Sequence, residues 1–284
     1  MAVADASARR AAFRRLHESG CFIIPNPWDV GTARYLRGLG FKALATTSSG
    51  FSFSKGLPDA DWAVPLDAAL AHIAEIVAAT DLPVNADFES GYAHEPDAVA
   101  ANVGRCVATG VAGLSIEDAT GDPAKPLYDL GHAVERIRAA RAAIDAAGAD
   151  VMLTARAECY LVGHPDPLPE SIRRLQAYAE AGADVLYAPG PRTPSEIGAI
   201  VAAVAPKPVN ILVSGNAGLT LADIAALGAR RISVGSSLAR AAWAGFIRAA
   251  ELMAEDGSFA GFDGIVPFDD LNAFFRRDLK ERSG

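Results

Sequence analysis

The sequence is poor in cysteine, in long apolar runs and in positive charge. Its three cysteines, Cys21, Cys106 and Cys159, are far apart and form no metal-ligand pattern, which indicates reduced thiols and a cytoplasmic location. No run of about 18 apolar residues is present and the first residues lack an apolar signal core, so we expect neither a membrane span nor export. The net charge of −8 argues against a nucleic-acid or anionic-membrane partner.

What the sequence does contain is a repeated unit of a helical stretch, a glycine turn and a short apolar strand. The turns fall at Gly40, Gly110, Gly148, Gly182 and Gly228, where glycine can end a helix just before a strand. The apolar stretches predict eight strands, at residues 21–25, 43–47, 83–87, 113–117, 151–156, 185–188, 209–212 and 232–234. The amphipathic stretches predict helices at residues 66–80, 96–109, 132–147, 170–181 and 194–203.

Eight strands that alternate with helices predict an α/β fold, the TIM (β/α)8 barrel, as a single domain over residues 1–284. A doubly wound open sheet is disfavoured because no Gly-x-Gly-x-x-Gly follows the first strand. Two extra C-terminal helices, at residues 238–255 and 268–280, extend past the eighth strand. They are candidates for packing against another subunit.

Acidic side chains follow the third and fourth predicted strands. Asp87 and Glu89 are two apart and therefore share one face of the strand end, while Glu117 ends the next strand. Chemistry in such a barrel lies at the carboxyl ends of the strands, where these three carboxylates would meet and repel each other. Because a cluster of oxygen ligands suits a hard divalent ion, we predict that they hold Mg²⁺. Asp29 and Asp118 favour a structural role as helix caps or turn formers.

Two further segments are candidates for binding the substrate. Arg156 ends the fifth strand, where a guanidinium can bind a substrate carboxylate or form a structural ion pair with Glu117 or Glu158. Ser49 and Gly50 follow the second strand, where hydroxyl and backbone N–H donors can cradle an anion or form an ordinary turn.

Other polar segments leave alternatives open. The polar residues 120–130 are either a lid that closes over the site or a plain connection. His94 and His164 lie in loops near the predicted mouth, as candidate general acids or as solvated histidines. The glycine-rich residues 214–218 and 235–237 are typical of a barrel that binds a sugar phosphate. Against that function, no lysine lies within a strand to form a Schiff base.

Several motifs, in this order along the chain, resemble those of the isocitrate lyase/phosphoenolpyruvate mutase superfamily. The resemblance covers nearly the whole chain. The matching stretches are Pro25-Asn26-Pro27-Trp28-Asp29, Ser49-Gly50, Gly56-Leu57-Pro58-Asp59, Asp87-Phe88-Glu89-Ser90-Gly91, Ile116-Glu117-Asp118 and Ala155-Arg156-Ala157-Glu158.

The resemblance implies an enzyme that depends on Mg²⁺, with Mn²⁺ as an alternative, and acts on a small carboxylic acid. It implies that Asp87 binds the metal directly and that Asp59, Glu89 and Glu117 hold the metal and its waters. The implied substrate-binding residues are Ser49, Gly50, Phe51, Arg156 and Asn210, and the implied catalytic residues are Arg156, Lys125 and Asp59. It also implies a homotetramer in which a C-terminal helix, within about residues 238–280, is exchanged between subunits.

The segment that the family uses as a gating loop departs from the family pattern. The isocitrate and methylisocitrate lyases carry Lys-Lys-Cys-Gly-His there, whereas residues 121–126 here contain no cysteine, which disfavours those two activities. The mutase and the phosphonopyruvate hydrolase carry a lysine and an asparagine there, of which only Lys125 is present. The proton donor or base stays open among Lys125, Tyr128 and His94.

These observations predict a Mg²⁺-dependent carbon–carbon bond lyase or decarboxylase. Its substrate would be a 2-oxo acid or a substituted malate-type acid, cleaved through an enolate-like intermediate to release pyruvate or a related 2-oxo acid. The alternatives are a P–C bond hydrolase or phosphonomutase of the same superfamily, and a barrel that binds a metabolite without turning it over.

Overall fold

The computed structural model describes residues 5–60 and 62–283, and its eight strands form one parallel sheet. The strands are β1 (Phe22–Ile24), β2 (Leu44–Ala45), β3 (Val84–Asp87), β4 (Gly113–Glu117), β5 (Met152–Arg156), β6 (Val185–Tyr187), β7 (Val209–Leu212) and β8 (Arg231–Ser233). They lie in the order β1-β8-β7-β6-β5-β4-β3-β2. The gap between β1 and β2 is bridged by the N–H of Ala45, which donates to the carbonyl of Pro25 at 3.0 Å. The predicted TIM barrel is confirmed, with strand ends that shift by one or two residues.

Helices surround this barrel and continue past it. The α-helices are α1 (Ala6–Glu18), α2 (Val30–Gly38), α3 (Ser48–Ser54), α4 (Leu66–Ala79), α5 (Pro96–Ala108), α6 (Leu130–Ala146), α7 (Pro167–Glu180), α8 (Pro194–Val204), α9 (Leu221–Ala226), α10 (Ser237–Asp256) and α11 (Phe268–Ser283). A 3-10 helix, Ala260–Phe262, separates the last two. All the helices predicted from sequence are present, and α1, α2, α3 and α9 lie outside the predicted ranges.

Ser49 and Gly50, for which the sequence allowed either an anion cradle or an ordinary turn, lie in the short helix α3 that follows β2. Thr47 caps α3, because its hydroxyl accepts the N–H of Gly50 at 3.2 Å. Serine, glycine and phenylalanine have low helix propensity, and the helix spans only seven residues, so its periodicity gives little signal. This helix directs Ser48 toward the end of β3.

Helix α1 covers the amino-terminal end of the barrel. Phe13 is fully buried against Ile24, Met152 and Val185, in a cluster that fills this end of the barrel. Arg9 donates to the carbonyl of Val77 at 3.0 Å, near the end of α4, a position where a cation satisfies the open carbonyls of a helix. With this end closed, the opposite end of the barrel is where a ligand can enter.

The C-terminal helices carry a large exposed apolar surface. The ring of Phe274 on α11 lies 4.8 Å from that of Tyr35 on α2, so α11 folds back onto the barrel. The side chains that stay exposed define what we call the C-terminal apolar surface: Trp243, Phe246, Ile247, Phe259, Ile265, Val266 and Phe268. Within residues 5–60 and 62–283, none of the helices has the length and hydropathy needed to cross a bilayer. An apolar surface of this extent on a folded domain is typical of a protein–protein interface.

Candidate active site

A cavity of about 540 Å³ opens at the carboxyl ends of β3, β4 and β5. The sequence analysis predicted the site at this end of the barrel. The cavity wall includes Ser48, Asp59, Glu89, His94, Glu117 and Arg156. Acidic side chains from neighbouring strands are therefore brought together, as predicted.

Asp87 ends β3 and is held by α3. Its Oδ2 accepts the backbone N–H of Ser48 at 3.0 Å and the Ser48 hydroxyl at 3.1 Å. Its own N–H donates to the Thr46 hydroxyl at 2.9 Å, which fixes the strand end. Asp87 Oδ1 lies 3.6 Å from Arg156 Nη1. The carboxylate is oriented by neutral donors and only loosely paired with a cation.

Glu89 lies just past β3 in an unusual backbone conformation. Its φ of 46° is in the left-handed region, which residues other than glycine rarely adopt and which is often found at functional sites. Its Oε1 accepts the hydroxyl of Tyr92 at 2.7 Å. Burial, with a smaller contribution from the charges of Asp87 and Asp59, raises the pKa of Glu89 to about 7, against the lowering effect of the Tyr92 hydrogen bond. This carboxyl is poised to ionise fully once positive charge arrives.

Glu117 and Asp59 complete the acidic wall. Glu117 ends β4, and burial raises its pKa well above the ordinary value despite the nearby Arg156. Burial also raises the pKa of Asp59, and the charge of Asp87 adds to that shift. The nearby hydroxyls of Ser48 and Ser49 lower the pKa of Asp59 and partly offset this rise.

Arg156 lies at the centre of these acids. Its Nη1 is 3.0 Å from Glu117 Oε2, its Nε is bonded to Glu158 Oε1, and its Nη2 donates to Glu158 Oε2 at 3.2 Å. The ring of Tyr187 lies 5.4 Å beneath the guanidinium. Both ion pairs considered from sequence are present. The role of Arg156 in substrate binding stays a prediction.

Glu158 belongs to this site although the sequence indicated it only as an ion-pair partner. It is 4% exposed, it lines the cavity, and its N–H donates to Asp118 Oδ1 at 2.8 Å. Burial raises the pKa of Glu158, while Arg156 lowers it. The i, i+2 spacing of Arg156 and Glu158 at a strand end is the signal that could have identified it, because such residues share one face.

The donor set fits a hard divalent cation. The acids around the cavity offer only oxygen atoms, and several of them resist ionisation without added positive charge. In the described part of the chain, no three acidic, histidine or cysteine side chains are arranged to bind one ion directly. A metal in this cavity would therefore take few direct protein ligands and keep several waters, which is how Mg²⁺ usually binds.

The predicted substrate-binding residues near α3 fall in different surroundings. Ser49 Oγ lies 3.4 Å from Thr47 Oγ1, and Gly50 is buried. The ring of Phe51 is stacked on His72, with 3.8 Å between the centroids, and so packs in the core. The roles of Ser49, Gly50 and Phe51 in binding stay predictions.

Asn210 and Lys125 make contacts of their own. The amide of Asn210 donates to the Ser233 hydroxyl at 2.9 Å and accepts from Arg231 Nε at 2.8 Å. Lys125 Nζ is bonded to Asp129 Oδ2 at 2.7 Å, and its side chain is 60% exposed. A substrate contact for Asn210 and a catalytic role for Lys125 stay predictions.

The segment that contains Lys125 is a compact loop beside the cavity. Ala119 pairs with Leu127 in an antiparallel bridge, and the N–H of Thr120 donates to the carbonyl of Pro126 at 3.0 Å. Residues 119–121 at its base line the cavity. The loop therefore forms one side of the site, as the interpretation of this segment as a lid requires.

The two aspartates assigned structural roles are not part of the acidic wall. Asp29 caps α2 in a capping box with Thr32, as predicted. Asp118 is neither a helix cap nor a turn former: it is buried, pairs with Arg174 at 2.9 Å and accepts the hydroxyl of Tyr178. The sequence around Asp118 contains no signal for this ion pair, because Arg174 lies 56 positions further on, in α7.

A (β/α)8 barrel whose cavity lies at the carboxyl ends of its strands, with acidic side chains around one arginine, has the architecture of a barrel enzyme, because active sites in this fold lie at that end. Residues 13–254 match the sequence model of the phosphoenolpyruvate phosphomutase family. The chain belongs to this family, and with it to the isocitrate lyase/phosphoenolpyruvate mutase superfamily.

Similar proteins have been described under several names. A crystal structure of a candidate lyase or mutase from Burkholderia cenocepacia J2315 is 50% identical, with a TM-score of 0.90 over 95% of this chain and 97% of that one. An uncharacterised protein of Mycobacterium tuberculosis is 35% identical over 79% of this chain and 82% of its own length. Oxaloacetate acetylhydrolase in complex with its product oxalate is 28% identical, with a TM-score of 0.83 over 98% of each chain.

Proposed function

We propose that this protein is a Mg²⁺-dependent lyase or decarboxylase that cleaves a carbon–carbon bond in a 2-oxo acid or a substituted malate-type acid. The observation that carries the proposal is the set of carboxylates around Arg156, which needs a cation and surrounds a cavity large enough for a small acid. Family membership supports it, because members of the superfamily are enzymes that act on small carboxylic acids and are typically metal-dependent.

Asp87 would bind the metal directly, and Asp59, Glu89 and Glu117 would hold its waters. Bound Mg²⁺, or Mn²⁺ in its place, would supply positive charge that stabilises an enolate-like product of bond cleavage. The raised pKa values of Glu89 and Glu117 indicate carboxyls that lack a compensating cation, and a bound metal ion would ionise them so that they accept hydrogen bonds from its waters.

Arg156 would bind the substrate carboxylate. Its Nε and Nη2 are engaged by Glu158, which fixes the plane of the guanidinium, whereas Nη1 faces Glu117 and Asp87. When a cation neutralises those two acids, Nη1 is the donor that remains for the substrate. Ser49 and Gly50, at the start of α3, would add hydroxyl and backbone donors.

The C-terminal apolar surface supports a homo-oligomer, for which we expect a tetramer in which the C-terminal helices are exchanged between subunits. We further expect a single domain over residues 1–284 and a cytoplasmic protein without nucleic-acid or membrane partners. The charge of −8 and the three free cysteines support the latter two expectations.

The test is release of a 2-oxo acid from oxaloacetate, 2-substituted malates and phosphonopyruvate, each with Mg²⁺ and with EDTA. We expect release from one of the carbon acids that requires Mg²⁺. Release of inorganic phosphate from phosphonopyruvate, or its conversion to phosphoenolpyruvate, would favour P–C chemistry instead. Mg²⁺-linked binding of oxalate without turnover of any acid would indicate a barrel that only binds a metabolite.

A further inference from the structure

A histidine and a tyrosine form a hydrogen-bonded pair at the mouth of the cavity. His94 lies in the loop between β3 and α5 and lines the cavity that also contains Arg156. Its Nδ1 is 2.6 Å from the Oη of Tyr128, which is 7% exposed. Because Nδ1 is engaged, Nε2 is the nitrogen left to meet a molecule in the cavity. His94 itself is exposed, so its ring can exchange protons with water.

The surroundings hold this pair in place from several elements. Arg136 on α6 stacks on the Tyr128 ring, 4.0 Å from its centroid, and donates to the carbonyl of His94 at 2.7 Å. His132 Nε2 lies 2.9 Å from the same carbonyl, and the Trp62 ring lies 4.9 Å from the His94 ring. The adjacent residue Glu95 adds a negative charge to this neighbourhood, which Arg136 balances. These contacts fix the backbone carbonyl of His94 through Arg136 and His132 and its ring through Tyr128 and Trp62.

We propose that His94 is the proton donor and acceptor at the substrate carbon, and that Tyr128 is its positioning residue. This inference rests on the proposed function. A tyrosine hydroxyl suits either state of the ring, because it donates to Nδ1 of a neutral imidazole and accepts from Nδ1–H of an imidazolium. Burial raises the pKa of Tyr128, so its phenol stays protonated through the cycle.

The proton step balances without a further reactant. When the bond between C3 and the C4 carboxylate of an oxaloacetate-type 2-oxo acid breaks, carbon dioxide leaves and the electron pair of that bond forms the enolate of the released 2-oxo acid. The His94 imidazolium gives its Nε2 proton to C3 of that enolate, so that a C–H bond forms and the N–H electron pair stays on the nitrogen. The neutral imidazole then regains a proton from water at the mouth of the cavity.

The structure favours His94 over Lys125 for this step. The ammonium of Lys125 is bonded to Asp129 and points into solvent, with 60% of the side chain exposed. Lys125 would have to leave that partner before it could donate a proton inside the cavity. His94 already lines the cavity wall.

The same step, run in reverse, gives an assay that does not need the physiological substrate. In D₂O with Mg²⁺, a proton acceptor at C3 should exchange the methyl protons of pyruvate for deuterium, which NMR detects. We expect His94→Gln to slow this exchange by about 100-fold or more. Tyr128→Phe should slow the exchange by about tenfold with little change in the KM for pyruvate, because the His94 ring loses the hydrogen bond that orients it. His164→Gln, a second loop histidine, is the matched control and should exchange at the unmodified rate.

Oxalate binding, followed as a Mg²⁺-dependent thermal shift, separates failure of this inference from failure of the proposed function. Retained oxalate binding in His94→Gln together with lost exchange supports the inference. Equal exchange in His94→Gln and the unmodified protein overturns it, as does an unmodified protein that binds oxalate but exchanges nothing. An unmodified protein that neither binds oxalate nor exchanges pyruvate overturns both the inference and the proposed function.

Discussion

Glu117 on β4 and Arg156 on β5 are directly paired in the sheet register, and Glu117 Oε2 lies 3.0 Å from Arg156 Nη1. The register places these side chains side by side at the mouth of the barrel, where Glu158 engages the other nitrogens of the guanidinium. One arginine thus links the buried Glu158 and the partly buried Glu117, a geometry that requires its forked shape.

Replacement of Arg156 by lysine should therefore lower activity while the fold is retained. A single ammonium cannot bond Glu158 and also present a donor to the substrate. Since a hydrogen bond to a charged group contributes about 1.5–3 kcal/mol, we expect kcat/KM to fall by about 10- to 100-fold. Arg138→Lys, in an exposed pair with Glu135 on α6, is the control and should change nothing. Equal kcat/KM values for the two variants would contradict a role for the guanidinium in binding.

Mg²⁺ should stabilise the protein through Asp87. At a metal concentration of about 100 times Kd, the free energy of unfolding should rise by about 2.7 kcal/mol, and EDTA should reverse the effect. Asp87→Asn should remove most of this increment in a thermal or urea titration, because it deletes the charge at the proposed direct ligand. Glu75→Gln, an exposed acid on α4, should keep it. A full Mg²⁺ effect in Asp87→Asn would refute the assignment.

The barrel itself could be predicted from the sequence because its strands are buried on both faces. The predicted bounds of β4 and β7 match the structure, since each is a short apolar run after a glycine or proline turn. Helix α1 was not predicted because its arginines interrupt the apolar periodicity of an amphipathic helix. Their side chains instead bind carbonyls near the ends of other helices, as Arg9 does with the carbonyl of Val77 in α4. That role depends on tertiary contacts and leaves no local pattern.

The candidate site was partly predictable. Alternation along a strand predicted that Asp87 and Glu89 lie together, and the two carboxylates are close enough for the charge of Asp87 to act on Glu89. The predicted reason is wrong, because β3 ends at Asp87 and Glu89 follows it with a φ of 46°, outside the extended backbone of a strand. The contact between His94 and Tyr128 joins two loops 34 positions apart, and neither loop has a periodicity from which their distance could be inferred. Loop contacts of this kind are set by packing, here by Arg136 beneath the tyrosine ring.

Gly50 should not tolerate a side chain. A Cβ at this position would lie 2.7 Å from Thr47 Cγ2 and 3.2 Å from Trp28 Cβ. Gly50→Ala should thus overpack α3 and lower the free energy of unfolding by about 1–3 kcal/mol. Gly104→Ala, in α5 with no neighbour within 4 Å, should instead be neutral or raise it by up to about 1 kcal/mol. Urea denaturation of both variants checks the contrast, and a Gly50→Ala protein as stable as Gly104→Ala would contradict it.

His17 should make the protein less stable in acid. Burial, together with the charges of Arg231 and Arg14, lowers the pKa of His17 to about 3. The unfolded chain binds a proton below about pH 6.5 while the folded state does not, so this contribution to stability is complete above pH 6.5 and is lost as the pH falls. His17→Phe should flatten the decline between about pH 6 and 4 by up to about 1.4 kcal/mol per pH unit. Urea titrations across this range test the slope, and an unchanged slope would show that His17 binds its proton equally well in the folded and the unfolded state.

The C-terminal apolar surface should be the contact between subunits. Phe268, at the start of α11, is 80% exposed, and Phe246 on α10 is 61% exposed. Phe268→Asp introduces a charge into this surface but leaves α11 intact, because an acid in the first helical turn is favourable. Light scattering coupled to size exclusion should therefore report a tetramer for the unmodified protein and a smaller species for this variant. Leu221→Asp, at an exposed apolar residue on α9 that is not one of the residues defining this surface, is the control. A Phe268→Asp protein that keeps the unmodified mass would place the subunit contact elsewhere.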